Sequence, residues 1–180
     1  INNGCKVILI ILFLFSTVRK ELNINAKMFI ASEGVDIPSF VQELGTNAEY
    51  WYGAAWWVAA AEESDKIFGT TADYVQICKD KFGSDFIVDQ HVATGSAAGL
   101  LLQFAIEKAD SIETEKVRVA LSSLDVKFSC FPAIAFNEKG QNVKWEHPVM
   151  QIQNGKVFVV YPDSVQEKAP LYPTPEWGNR

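Results

Sequence analysis

The sequence predicts an α/β protein carrying a doubly wound parallel sheet, and three observations predict it. Over the first third of the chain, short apolar runs alternate with amphipathic segments on short links. That strand–helix–strand–helix–strand order is what a parallel sheet with crossover helices requires. The middle of the chain reads as helix after helix. The end turns to strands around Asn154-Gly155, a dipeptide suited to a tight antiparallel hairpin. Hydrophobic residues make up 48% and charged residues 21%, so the chain has enough apolar material to fold around a core.

Taken in order, residues 7–13 predict a fully buried parallel strand, and residues 15–22 a short helix with Ser16 or Thr17 near its start. The whole apolar run, 7–15, is too short to span a bilayer, which takes about 20 residues. A secretory leader would need a small-residue cleavage site, and "STVRKEL" follows instead. The chain begins with Ile1, which predicts a processed, truncated or incomplete chain. "KMFIAS" (27–32) is the second strand. Residues 36–44 form a helix with Asp36 as N-cap, Pro38 in the first turn and Gly45 as the stop. "AEYWYGA" (48–54) is the third strand.

Helices are then predicted over 70–83, 90–109 and 113–124. The first half of the second is nearly all small residues, which let another backbone come close. "CFPAIAF" leads into a turn at "NEKGQN". "PVMQIQNGKVFVVYP" reads as the closing hairpin, and "YPTPEWGNR" as an irregular proline-rich tail.

The formal net charge is −6 with no basic cluster, which argues against nucleic acid as a partner. Three cysteines, Cys5, Cys78 and Cys130, form no C-x-x-C, and His91 and His147 lie far apart, so no metal site is predicted. A Cys78–Cys130 disulfide stays open. "TGSAAG" (94–99) lacks a P-loop lysine and a preceding strand, and its Ser96 lacks the spacing of a nucleophile elbow; tight helix packing accounts for it. "EESD" (62–65) reads as a solvated turn. There is no nucleophile–base pair and no dinucleotide fingerprint. The expectation is a protein that is not an enzyme, with no catalytic residue and no cofactor.

"EYWYGAAWWV" (49–58) packs five aromatics into ten positions. Tyr50, Trp51 and Tyr52 alternate along the third strand, which predicts core. Trp56 and Trp57 come after Gly53-Ala54-Ala55, where the chain leaves the sheet. They read either as a wall against a ligand or as a buried plug; indole suits the wall because it offers rigid area with one N–H donor.

The ordered set of these pieces resembles one family. "ASEGVDIPSF", the helical run from "FGTTADYVQ" to "VALSSLD", "FPAIAFNEKGQN", "MQIQNGKVFVVYP" and "YPTPEW" together look like the C-terminal half of the branched-chain amino-acid type of periplasmic solute-binding protein. That protein is the substrate receptor of an ABC importer. Gln90 and Ser96 stand where the family often has aromatics, and Pro132 where it has glycine. The resemblance implies a type I periplasmic-binding fold. Residues 1–57 and 137–180 would form the second-lobe sheet and hairpin. Residues 58–136 would form the hinge crossing and the helices that pack on the first lobe. That lobe, with its grip on the ligand carboxylate, has no counterpart here, so the resemblance implies a fragment whose helices leave apolar faces bare.

The resemblance also implies a ligand and its contacts. The ligand is a small polar molecule such as an amino acid or related amide, held between closing lobes. Ser32, Glu33 and Gly34 form the loop that meets it, with Glu33 facing its ammonium; from position alone Glu33 is as well a solvated loop carboxylate. A tryptophan of the pair Trp56 and Trp57 lines the cleft. Gln90 and His91 lie next to the hinge or cleft, while a lone histidine at a helix start, as His91 is, is more often a structural residue. The partners would be the importer's membrane subunits. The location would be periplasmic or extracellular, with a surface anchor in a Gram-positive cell and a signal peptide in the part not encoded here. The same fold also serves as the ligand-sensing domain of receptors and regulators, which is the alternative function.

Overall fold

The structure is a computed structural model that describes residues 3–144 and 146–179, with side chains from Ile10 onward. In chain order the elements are α1 (Asn3–Glu21), β1 (Phe29–Ala31), α2 (Pro38–Leu44), β2 (Trp51–Ala54), β3 (Ser64–Asp65) and β4 (Gly69–Thr70). Then come α3 (Thr71–Phe82), α4 (Gln90–Ala109), α5 (Thr114–Ser122), β5 (Asp125–Phe128), β6 (Phe131–Ala135), β7 (Val149–Gln153) and β8 (Lys156–Tyr161). They fall into two units, Ile1–Ala55 with Pro148–Arg180, and Trp56–His147.

The first unit holds a four-stranded sheet in the order β1-β2-β7-β8. β1 and β2 are parallel, with Ala31 opposite Gly53; β2–β7 and β7–β8 are antiparallel. The β7–β8 turn has positive φ at Asn154 (54°) and Gly155 (71°), the pair of left-handed positions that a type I′ turn needs. The core gathers Phe29, Val35, Phe40, Leu44, Trp51 and Ile152. Trp51 and Tyr52 are buried, as expected for the core, but Tyr50 is not: it precedes β2, turns with φ 65° and is only half-buried.

The segment at 7–13 corrects the sequence reading. It is not a strand but the middle of α1, and residues 15–21 continue the same helix. Short apolar runs do not distinguish strand from helix by periodicity, and the polar positions that follow decide. Ser16 and Arg19, three apart, are fully buried on one face. Ile10, Ile11, Leu14, Phe15, Val18 and Leu22 follow helical spacing on the exposed face. Ser16 and Thr17 therefore sit inside the helix, where the Thr17 hydroxyl donates to the Phe13 carbonyl at 3.1 Å. α2 also starts differently: its N-cap is Ile37, without a side-chain cap, and Pro38 is its first residue, so Asp36 lies one position too early.

In the second unit, α3 and α4 pack with the β5–β6 ribbon around Trp57, Tyr74, Cys78, Ala93, Ala97, Leu100, Phe128 and Cys130. α3 opens with a capping box between Thr70 and Asp73. α4 is capped by Asp89, which accepts from the His91 and Val92 amides. The small stretch of α4 does let neighbours approach: Ala93 and Ala97 are buried, and the Ser96 hydroxyl lies 2.8 Å from the Tyr74 hydroxyl. Cys78 and Cys130 are free thiols, both buried; Cys5 lies outside the described side chains. Burial pushes the Cys130 thiol up to about 12, with the Asp65 carboxylate adding to the effect.

Candidate functional site

In the first unit the candidates are Ser32, Glu33 and Gly34. They follow β1 directly, so they lie at the C-terminal edge of the parallel pair, beside the end of β2. Ligands of open α/β sheets bind at that edge. Two glycines shape it. Gly34 has φ 90°, a conformation that side chains rarely adopt. Gly53 faces Val35: a Cβ there would lie 2.8 Å from the Val35 Cβ, so the loop after β1 crosses over the end of β2 only because residue 53 has no side chain. The result is a loop with an exposed Ser32, a half-buried Glu33 and a buried Gly34.

In the second unit the two tryptophans separate. Trp57 is 3% exposed, donates its indole N–H to the Ser129 carbonyl at 3.2 Å and packs edge-on against Tyr74. Trp56 keeps 45% of its surface exposed and stands edge-on to His147, with ring centroids 4.8 Å apart. Gln90, 2% exposed, accepts from the Trp56 backbone N–H at 2.7 Å. It thereby fixes the backbone that carries the Trp56 ring. His91 is exposed and turns back to its own N-cap, with Nδ1 3.5 Å from the Asp89 carboxylate.

One constellation was not anticipated. "EESD" is not a solvated turn throughout. Glu63 pairs with Lys127 at 3.1 Å. The Asp65 carboxylate accepts from the Ser129 N–H (2.6 Å) and hydroxyl (2.8 Å) and from the Ile67 and Phe68 amides (2.6 and 2.7 Å). Partial burial would raise its pKa, but these donors together hold it below the usual carboxylate value. The Ser129 carbonyl then takes both the Trp57 indole and the Thr71 hydroxyl. This network joins the β3–β4 and β5–β6 ribbons and sets Trp57. It is a scaffold that ties these segments to one another through Asp65 and Ser129.

A surface cavity of about 610 Å³ opens between α5 and the turn after β6, lined by Arg118, Leu121, Ser122, Phe136 and Lys139 among others. None of the residues singled out in the sequence lines it. Among the described residues, no group of three or more His, Cys, Asp or Glu is placed to hold a metal ion.

No protein-family model matches the chain. Solved structures do. A leucine-binding protein LivK from Thermotoga maritima matches with a TM-score of 0.69 at 21% identity, over 84% of this chain and 41% of that one. An extracellular ligand-binding receptor from Rhodopseudomonas palustris matches at 0.64 and 19%, over 83% and 44%. The branched-chain amino acid transporter substrate-binding protein LivJ from Streptococcus pneumoniae, solved in complex with isoleucine, matches at 0.58 and 15%, over 83% and 41%. A type 1 periplasmic binding protein from Bordetella pertussis has the same likeness at 0.54. The chain has the type I periplasmic-binding fold, and it spans about two-fifths of the length of these proteins.

Proposed function

We propose that the chain is part of the substrate-binding component of an ABC-type importer for amino acids or related small amides. The observation that carries this reading is the fold match over 84% of the chain to a leucine-binding protein, together with the match to a transporter protein holding isoleucine. In this reading the Ile1–Ala55 and Pro148–Arg180 unit corresponds to the second lobe, and the helices of Trp56–His147 to part of the first. The chain contributes binding and no catalysis, its partners are the membrane subunits of the importer, and it works in the periplasm or at the outer cell surface.

In this reading the ligand contacts are the ones the family resemblance implies. Glu33 pairs with the ammonium of the amino acid, a charge-assisted contact that a neutral analogue cannot make. Ser32 and Gly34 offer a hydroxyl and close backbone approach. Trp56 supplies an apolar face, on a backbone that Gln90 holds. The likeness to an extracellular ligand-binding receptor supports a second reading, a ligand-sensing domain with the same ligand chemistry.

Amide NMR spectra of the chain titrated with leucine, isoleucine and valine test the assignment. Binding should be weak, because the portion of the fold that the chain spans leaves much of the ligand hydrated. The perturbed amides should be those of residues 32–34 and the Trp56 indole. N-acetyl-isoleucine, which lacks the ammonium, should perturb them far less, and Glu33→Gln should remove the difference, at a cost of about 1.5–3 kcal/mol where binding is measurable. Equal responses to the free and acetylated amino acid would return Glu33 to a solvated loop.

A further inference from the structure

We propose that Asn154-Gly155 is a latent succinimide site and that Glu49 keeps it shut. Asparagine followed by glycine is the sequence most open to this self-modification, because glycine puts no side chain in the way of the attacking nitrogen. The Gly155 backbone nitrogen attacks the Asn154 side-chain carbonyl carbon. A new N–C bond forms, the carbon–amide bond breaks, and ammonia leaves with the proton given up by Gly155. Water then opens the ring to aspartate or to isoaspartate. Both residues are exposed at the β7–β8 turn, so burial offers no protection.

The geometry supplies protection of another kind. Glu49 points both carboxylate oxygens at this turn, accepting from the Asn154 N–H at 2.9 Å and from the Gly155 N–H at 2.5 Å. The Gly155 nitrogen is the nucleophile, and its proton is engaged by a charged acceptor. To attack, it must give up that bond and Asn154 must leave its left-handed conformation, φ 54°, to swing its side chain over the nitrogen. Glu49 is itself held in place. The next residue, Tyr50, has φ 65° and donates its N–H to the Ile152 carbonyl at 2.9 Å, which brings residue 49 alongside the hairpin end.

The consequence reaches the sheet. Isoaspartate adds a carbon to the main chain in a two-residue turn, where loop length sets the register of the strands. β8 pairs through Lys156–Gln153 immediately beside the turn, so the hairpin would lose its closing pairs first.

The test is peptide mapping by mass spectrometry after incubation at mildly alkaline pH. Three samples are compared: the folded chain, the chain unfolded in urea, and folded Glu49→Gln and Glu49→Ala variants whose circular dichroism matches the parent. The folded parent should convert at Asn154 many-fold more slowly than the unfolded chain. Both variants should convert several-fold faster than the parent. Should Glu49→Ala not fold, Glu49→Gln, which keeps the size and removes the charge, decides alone. Conversion in the folded parent as fast as in urea would overturn the proposal. So would a slower rate in the variants, which would make Glu49 a base that promotes the attack.

Discussion

At the scale of single residues, Asp65 is the side chain on which most depends. Four donors from three residues converge on one carboxylate, and Ser129, which supplies two of them, also carries the acceptor for Trp57. Asp65→Asn keeps the shape, removes the charge and turns one acceptor oxygen into a donor facing donors. The expected loss is about 1.5–3 kcal/mol, the range for hydrogen bonds to a charged group. The pH dependence has a definite sign. A carboxylate whose pKa is lowered on folding stabilises the fold fully above the unfolded-state value of about 3.9, and that contribution disappears as pH falls through the lower folded-state value. Urea unfolding of parent and variant between neutral pH and pH 2 measures it: the two curves should converge at the acid end. A constant gap down to pH 2 would mean the charge of Asp65 contributes nothing.

At the scale of elements, the sequence was legible where local chemistry decided and opaque where distant contacts did. The helices α2 to α5 and the Asn-Gly hairpin appear within a residue or two of the expected places, because a cap, a proline or glycine boundary, a turn pair or an amphipathic face sits inside each segment. The loop 32–34 was legible for the same reason: it follows a strand. Asp65 was not, since its main partner is Ser129, across 64 positions, and nothing in "EESD" announces it. The other failure is α1. Its apolar run matches a buried strand, and what docks it is Arg19, which finds its partners in other elements. The guanidinium lies over the rings of Phe29, Trp51 and Trp177 at 4.3, 4.8 and 4.9 Å and donates to the Asn47 carbonyl at 2.6 Å. A desolvated cation over an aromatic face contributes about 2 kcal/mol or more, and truncating a large core side chain adds the cost of the space it leaves. Arg19→Ala should therefore lower stability by about 3 kcal/mol, read from the urea midpoint, and change the fluorescence of Trp51 and Trp177. An unchanged midpoint would mean that the Arg19 stack on Phe29, Trp51 and Trp177 contributes nothing to stability.

At the scale of the whole molecule, the two units are built unequally, and that sets how the chain comes apart. The first has a sheet whose central strands, β2 and β7, are paired on both sides. Its tail adds further ties: Gln151 exchanges two hydrogen bonds with the Leu171 backbone, and Gln153 donates to the Ala169 carbonyl. Among the described residues, the sheet of the second unit is the two-stranded ribbons β3–β4 and β5–β6, each marginal alone, under helices that leave Ile77, Phe82, Leu102 and Val119 exposed. Half-covered side chains forgo part of the about 1.5–3 kcal/mol that full burial of each would contribute. The Trp56–His147 unit should therefore open first. Cys78 and Cys130 report on it directly: both are buried, and with its pKa near 12 the Cys130 thiol forms almost no reactive thiolate until the unit opens. In a Cys5→Ser background, pulse labelling of thiols across a urea series should mark Cys78 and Cys130 at urea concentrations where the amides of β2 and β7 still resist hydrogen exchange. The first unit also leaves apolar surface bare along α1, but outside the sheet that carries its protected amides, so that exposure does not reverse the order. Labelling and exchange that rise together in one step would show that the two units unfold as one, and that the thin ribbons of the second draw their stability from the first.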